Sequence, residues 1–363
     1  MTQSFAKNAN TSSSPMNSSS AANEASEFSQ LLKSHREMLA GLEELEDLGR
    51  SNPDQNTATQ NRNIVVTPEL LERRAARFCL RIVLGVSIIA GSSTCMLSGS
   101  PLLFILGLII QGAMYVHMIE LQHSILHMQV FESPKVARIV GFFLGLPMMI
   151  SFSDFQYRHL RHHKFLGTAQ NTETFNYSHS KLNTVSGFLA ATFDYSRWKT
   201  MRDRLIKAFT GQQITDGENT LIEMRVRHEY QIFGIVLAYV SLLCVLLGSP
   251  WPLILWFAPL LAAEPVHFLL ELPEHFGLPA HSNTDVFENT RIWGGSWFAR
   301  WFTHNTNYHL AHHFNQLVPM DKLPELTKQM DPYIPQSSRS ESYLGFYIEV
   351  LSGKMRPDFL DRS

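Results

Sequence analysis

The chain has 363 residues, a formal charge of −2 and 45% apolar residues. The near-neutral balance argues against nucleic acid as a main partner, while the bulk apolar content is that of many soluble domains and excludes little. Three scattered cysteines, Cys79, Cys95 and Cys244, lie in or beside apolar runs; they form neither a disulfide framework nor a thiolate metal site and read as core fillers.

The distribution of apolar residues is more informative. Residues 1–30 are rich in Ser, Asn, Ala and Thr without the apolar core of a signal peptide, and are expected to be a disordered tail. Apolar positions three to four apart over 28–48 predict a short amphipathic helix, and 52–63 reads as a polar linker. Together, residues 1–65 form an N-terminal extension. Thr67-Pro68-Glu69 then sets a helix start. That helix is expected to run through Arg73, Arg74 and Arg77 into the apolar stretch 82–97. Only Ser98-Gly99-Ser100 separates it from a second run, 101–121. Each is near the ~20 residues that cross a bilayer, so the pair predicts a transmembrane hairpin.

The apolar stretch 139–152 is shorter and is expected to lie in the interface or to dip in and return. Residues 164–228 are polar and basic, with Arg197, Lys199, Arg202, Arg204, Lys207, Arg225 and Arg227, and belong in water. A second hairpin follows, 232–247 and 251–270, turning at Gly248-Ser249-Pro250 with Trp251 and Trp256 as belt residues. Four apolar runs paired by three-residue turns disfavour a soluble protein with a large buried helical core. The predicted fold is an all-α integral membrane protein: two transmembrane helical hairpins, interfacial helices and a cytosolic helical cap. Residues 66–335 form its catalytic domain and 336–363 a C-terminal tail.

Topology carries the functional argument. With the arginines before the first run on the cytoplasmic side, both hairpins return their ends to that face. His123 and His127 follow the first hairpin, and His275 follows the second. His159, His162 and His163, and then His309, His312 and His313, lie in polar segments on the same side. Their i,i+3 and i,i+4 spacings place imidazoles on one helix face, able to share an ion. Isolated histidines such as His35, His179 and His281 read as structural. Eight clustered histidines exceed what one ion holds, so two ions are implied. Imidazole suits iron, zinc, copper or nickel, and a structural zinc site would be complete with four ligands. Two irons with open positions can activate dioxygen as co-substrate, which makes iron the better choice beside a bundle able to present a lipid C–H bond.

His123-Ser-Ile-Leu-His127, His159-Leu-Arg-His162-His163 and His309-Leu-Ala-His312-His313, the last in the context Asn307-Tyr308-His309, then Val318-Pro319 and Leu323-Pro324, carry a resemblance. The chain is similar to the membrane fatty acid desaturase superfamily over about residues 75–335, the three-histidine-box enzymes that include sphingolipid desaturases, carotenoid hydroxylases and ketolases. The resemblance implies a di-iron oxidoreductase, and it implies a ninth ligand after the fourth span, matched by His275. Some members place an asparagine four residues before that histidine; here Glu271 stands there, a candidate to bind iron or to accept from a ligand imidazole. Asp154, Asn305 and His304 are further candidates for metal contact or for orienting a ligand, and His117 and Glu120, before the first box, are candidates to support it without touching metal. His267 within the last span is an ionisable group in a membrane helix and so a functional candidate.

The expected activity is dioxygen-dependent desaturation of a fatty acyl chain, on an acyl lipid or an acyl carrier. Hydroxylation or ketolation of a lipid, carotenoid or natural-product intermediate is the competing enzyme reading, and a membrane metal transporter or receptor is the non-enzyme one. The chain has no Cys₄ ferredoxin pattern and no fused haem domain, so electrons are expected from a ferredoxin or cytochrome b5-type partner. The basic stretch 197–207 is a candidate face for an acidic donor. The boxes and both termini are expected on the cytoplasmic side.

Overall fold

The computed structural model describes residues 40–49, 62–171, 184–217 and 219–355, with Lys33 and Leu182 besides. Most of the expected extension and linker, His35 and His179 therefore lie outside the described residues. The C-terminal part of the amphipathic helix is present as α1, residues 40–48. It buries Leu48 against Tyr157 and Val226, and Glu44 accepts from both Tyr157 and Asn219.

Among the described residues, four helical segments are long and apolar enough to cross a membrane. Helix α2 (Ala75–Met96) starts later than the Thr67 signal suggests. Pro68–Leu71 forms a separate 3-10 turn, and the backbone is extended at Glu72 before the helix begins. Helix α3 (Pro101–Leu126) runs five residues beyond the apolar stretch. At 1.5 Å per residue it is about 39 Å long, more than the roughly 30 Å of hydrocarbon. Its last turn therefore projects from the bilayer and carries His123.

Helix α4 (Pro134–Gly145) and helix α5 (Phe152–Phe165) meet at 99°. With 12 residues, α4 is too short to cross alone; together the bent pair has the length and apolar character of a broken span or a re-entrant loop. Ser151 caps α5 by accepting from the Asp154 amide, and Glu229 accepts from the Ser151 and Ser153 hydroxyls. Short helices α6 (Val185–Thr192) and α7 (Ser196–Thr210) precede α8 (Thr220–Leu247), the third span. The fourth span is broken at Ala258 and Pro259 into α9 (Trp251–Phe257) and α10 (Leu260–Glu271).

Only between 11% and 50% of the most apolar window in each span is buried. Leu102 is 75% exposed and Val245 76%. Such outward apolar faces need lipid around them, and this removes the reading of a soluble helical core. Within the bundle α10 lies close against α3: a Cβ on Gly112 would fall 2.4 Å from the Pro259 carbonyl oxygen, so only glycine fits there. Of the two expected belt tryptophans, Trp251 borders the turn with 36% exposure, whereas Trp256 donates inward to the Pro147 carbonyl.

Beyond the fourth span the chain builds a cap from short pieces. These are α11 (Val286–Asn289), β1 (Ile292–Trp293), α12 (Trp297–Phe302), α13 (His309–Phe314), α14 (Leu323–Met330), β2 (Arg339–Ser340) and α15 (Tyr343–Leu351). Phe287, Leu310, Ala311, Val318, Leu323 and Met330 form its core. The stretch after 335, set apart above as a tail, contributes to this body through residue 355. There β2 pairs in parallel with β1, and Phe346 and Val350 of α15 pack on Phe268, Leu272 and Phe276.

Candidate metal centre

The three histidine patterns sit on three helix ends that meet below the spans: the last turn of α3, the second half of α5 and the whole of α13. Each helix presents its imidazoles inward because its other face is anchored, α3 in the bundle, α5 by Glu229 and α13 by Leu310 and Ala311 in the cap core. His275 arrives on the turn that follows α10.

Nine buried histidines form two groups. His123, His127, His159, His163 and His312 make one; His162, His275, His309 and His313 make the other. Within each group one ligand nitrogen per residue lies within 4.8 Å of all the others. The groups adjoin, with the His163 and His313 rings stacked at 4.0 Å between centroids. The boxes are not used as units. In both HxxHH patterns the i,i+4 pair enters one group and the intervening histidine the other, which differs from the expectation that each box points one way.

In the five-histidine group four Nε2 atoms form a closed ring: His123 to His159 2.7 Å, His159 to His163 3.0 Å, His163 to His312 3.0 Å and His312 to His123 3.1 Å. In the four-histidine group the ring runs His162 to His275 3.2 Å, His275 to His309 3.2 Å, His309 to His313 3.1 Å and His313 to His162 3.3 Å. The centre of a square with sides of about 3.0 Å lies about 2.1 Å from each corner, a metal–imidazole bond length, and with sides of about 3.2 Å about 2.3 Å, slightly longer.

Protonation supports the same reading. Burial, reinforced by neighbouring imidazoles, pushes His127, His159, His163, His309, His312 and His313 well below the ordinary histidine range. These rings are neutral and each keeps a lone pair. His275 Nδ1 donates to the Asn289 carbonyl (2.9 Å), and His162 Nδ1 faces Asn171 Oδ1 (3.1 Å). Both contacts fix the tautomer with Nε2 bare. Two bare nitrogens 3.2 Å apart repel unless a cation lies between them. The donor set fits two transition-metal ions.

The four accessory candidates make their contacts elsewhere. Glu271 belongs to neither group and pairs with His267 one turn back, Oε1 to Nε2 2.9 Å. Asn305, in the left-handed region with φ 67°, donates to the Met320 carbonyl; it shapes the turn into α13 without bonding His309. His304, also left-handed at φ 51°, packs edge-on against Phe78. Asp154 binds Arg204 at 2.7 Å and Arg158 at 3.1 Å. His117 donates to the Phe302 carbonyl and stacks on Trp301, and Glu120 accepts from Thr306. Both thereby tie α3 to the approach of the third box. His281 lies outside both groups.

Two residues not singled out by pattern are closer to the centre. Glu274 Oε2 lies 3.4 Å from His309 Nε2, at the rim of the four-histidine ring. The fully buried Arg291 donates to the Pro273 and Phe276 carbonyls, clamping the turn that carries Glu274 and His275. Its guanidinium sits 5.0 Å over the Phe346 ring, and burial lowers its pKa to about 10. The motif Glu-His at 274–275 was the available signal for the first; nothing local marks the second.

Asp154 allows a stability test at this site. Burial pushes its carboxyl up, but Arg158 and Arg204 outweigh that and hold it below the usual carboxylate range. The depressed value contributes stability above about pH 4, lost as pH falls through the folded pKa. Asp154→Asn leaves the largely buried Arg204 without its charge partner and should cost about 3 kcal/mol. Thermal unfolding against pH would show the variant less stable at neutral pH, with the gap to the native chain closing in acid. An equal gap at all pH values would refute the assignment.

Comparison with curated proteins gives no match. The family model described as fatty acid desaturase, however, matches residues 99–344, a stretch that contains all four elements carrying the two histidine groups. Family membership implies an oxidoreductase, and the chain belongs to the fatty acid desaturase family.

Proposed function

We propose that this chain is a membrane-bound, non-haem di-iron enzyme that uses dioxygen and external electrons to place a double bond in a fatty acyl chain. The observation that supports the reading best is the pair of adjoining histidine rings, each sized for one ion. Two irons held there supply, with dioxygen, the oxidising power to take hydrogen from an unactivated carbon.

The protein's own contribution is position and exclusion of water. All nine imidazoles are buried, and the Asn289 and Asn171 contacts hold His275 and His162 in register. The outward apolar faces of the spans set the protein in the solvent of its substrate. A long acyl chain reaches the centre from that side, with the boxes facing the cytoplasm. Electrons come from a ferredoxin or cytochrome b5-type protein. In the basic stretch on α7, Arg197 and Trp198 bind Glu264, and Arg204 binds Asp154. Arg202 is exposed but pairs with Asp203 at 2.8 Å, which leaves the exposed Lys199 as the basic side chain offered to an acidic donor.

Expression in membranes with a matched donor, followed by mass spectrometry of total lipids, tests the chemistry. Loss of two hydrogens supports desaturation, and gain of one oxygen assigns hydroxylation instead. The purified chain is expected to hold about two irons, one for each histidine group. Zinc alone, or less than about one iron per chain after iron loading, would sink the di-iron reading and favour metal transport or sensing.

A further inference from the structure

At the N-terminal end of α2 lies an open cleft that takes no part in the metal centre. Arg74, Arg77 and Arg81 line it together with Phe78, on one face of the first helical turns. Two of the guanidiniums share one carboxylate in the lining, Asp321, at 3.3 Å from Arg77 and 3.9 Å from Arg74. Those separations are loose for charge-assisted contacts. Arg74 also meets Glu72 at the surface, and Arg81 donates to the Trp301 carbonyl. The lining thus keeps an excess of positive charge.

The depth of the cleft mixes apolar side chains, Val130, Pro319 and Met320, with polar ones. Ser124, Gln129 and His304 close it. His304 is only 5% exposed, and its Nδ1 has no hydrogen-bond partner among the described residues. Directly above, Leu80, Val83 and Leu84 of α2 are exposed apolar side chains on the membrane-spanning stretch. The cleft therefore opens at the level where lipid headgroups lie.

We propose that this cleft is a binding site for the phosphate group of an anionic membrane lipid. The arginine forks grip the phosphate oxygens, and the lipid tails lie along Leu80, Val83 and Leu84. A bound headgroup bridges the start of α2, the end of α3 beside His123 and the Pro319–Asp321 segment that follows the third box. It stabilises the surroundings of the metal centre without entering it. The proposal does not depend on the iron or on the reaction catalysed.

The test uses the full chain in nanodiscs of phosphatidylcholine, with or without phosphatidic acid, read by thermal unfolding and by native mass spectrometry of bound lipid. Phosphatidic acid should raise the melting temperature of the native chain and remain bound to it. Arg77→Gln, at a side chain 55% exposed, should melt normally in phosphatidylcholine yet lose much of the shift. Arg74→Gln/Arg77→Gln should weaken lipid binding on the order of tenfold. A control, Lys135→Gln/Arg138→Gln, removes two exposed basic residues elsewhere at the interface and should keep the full shift. The same shift in all variants, equal loss in the control, or no shift in the native chain would overturn the proposal. Soluble glycerol phosphate producing the Arg77-dependent shift in phosphatidylcholine discs would overturn the lipid source and assign a soluble phosphate ester.

Discussion

His312→Ala is expected to lower the iron content from about two to about one per chain and to remove turnover. His312 Nε2 touches His123 and His163 at 3.1 and 3.0 Å, so it closes the ring that joins all three boxes. Its removal opens one corner of the five-histidine group while the four-histidine group keeps every donor. Outer-shell substitutions around metal sites already cost 10- to 100-fold, so loss of a ligand should cost at least about a hundredfold in activity. The fold should persist, because α13 is held in the cap by Leu310 and Ala311 rather than by the imidazole. Metal analysis, turnover and melting of the metal-free protein separate these effects. His281→Ala, outside both groups, should change none of them. A His312→Ala chain that keeps two irons and full turnover would refute the assignment.

The spans and boxes were legible because both are local. A run of apolar residues reports its own length, and two histidines four apart share a helix face whatever the rest of the chain does. Legibility ended where a contact depends on another element. In an HxxHH pattern successive residues diverge by about 100° around the helix, so His162 leaves the face of His159 and His163. That the turn after α10 and helix α13 bring His275, His309 and His313 to its side is a tertiary fact. Glu271 was the natural carboxylate to suspect because it is one helical turn from His275. The helix ends at Glu271, however, and the following turn directs Glu274 toward the ring instead. Asn305 makes its contact elsewhere for a related reason. A position four residues before His309 matters only if the helix is continuous, and the left-handed backbone at His304 and Asn305 breaks it. The clamp by Arg291 spans residues 273–346 and leaves no periodic trace.

The two histidine groups differ in donor count, and Glu274 is placed to offset the difference. The five-histidine group surrounds its centre with nitrogen alone, while the four-histidine group has the Glu274 carboxylate at its rim. Four neutral imidazoles contribute no charge to a bound cation, so in a buried site a single carboxylate changes the electrostatics strongly. Glu274→Gln keeps the size and hydrogen-bonding shape of the side chain and removes the charge. The expected result is selective: one of the two irons becomes extractable by a chelator at 10- to 100-fold lower concentration, and one of two Mössbauer sub-spectra shifts while the other is unchanged. Turnover should fall with the labile iron. Glu271→Gln, at a carboxylate paired with His267, should leave chelator resistance and both sub-spectra as they were. If Glu271→Gln loosens an iron and Glu274→Gln does not, the position four residues before His275 is the functional one, and the carboxylate beside His309 only packs against the ring.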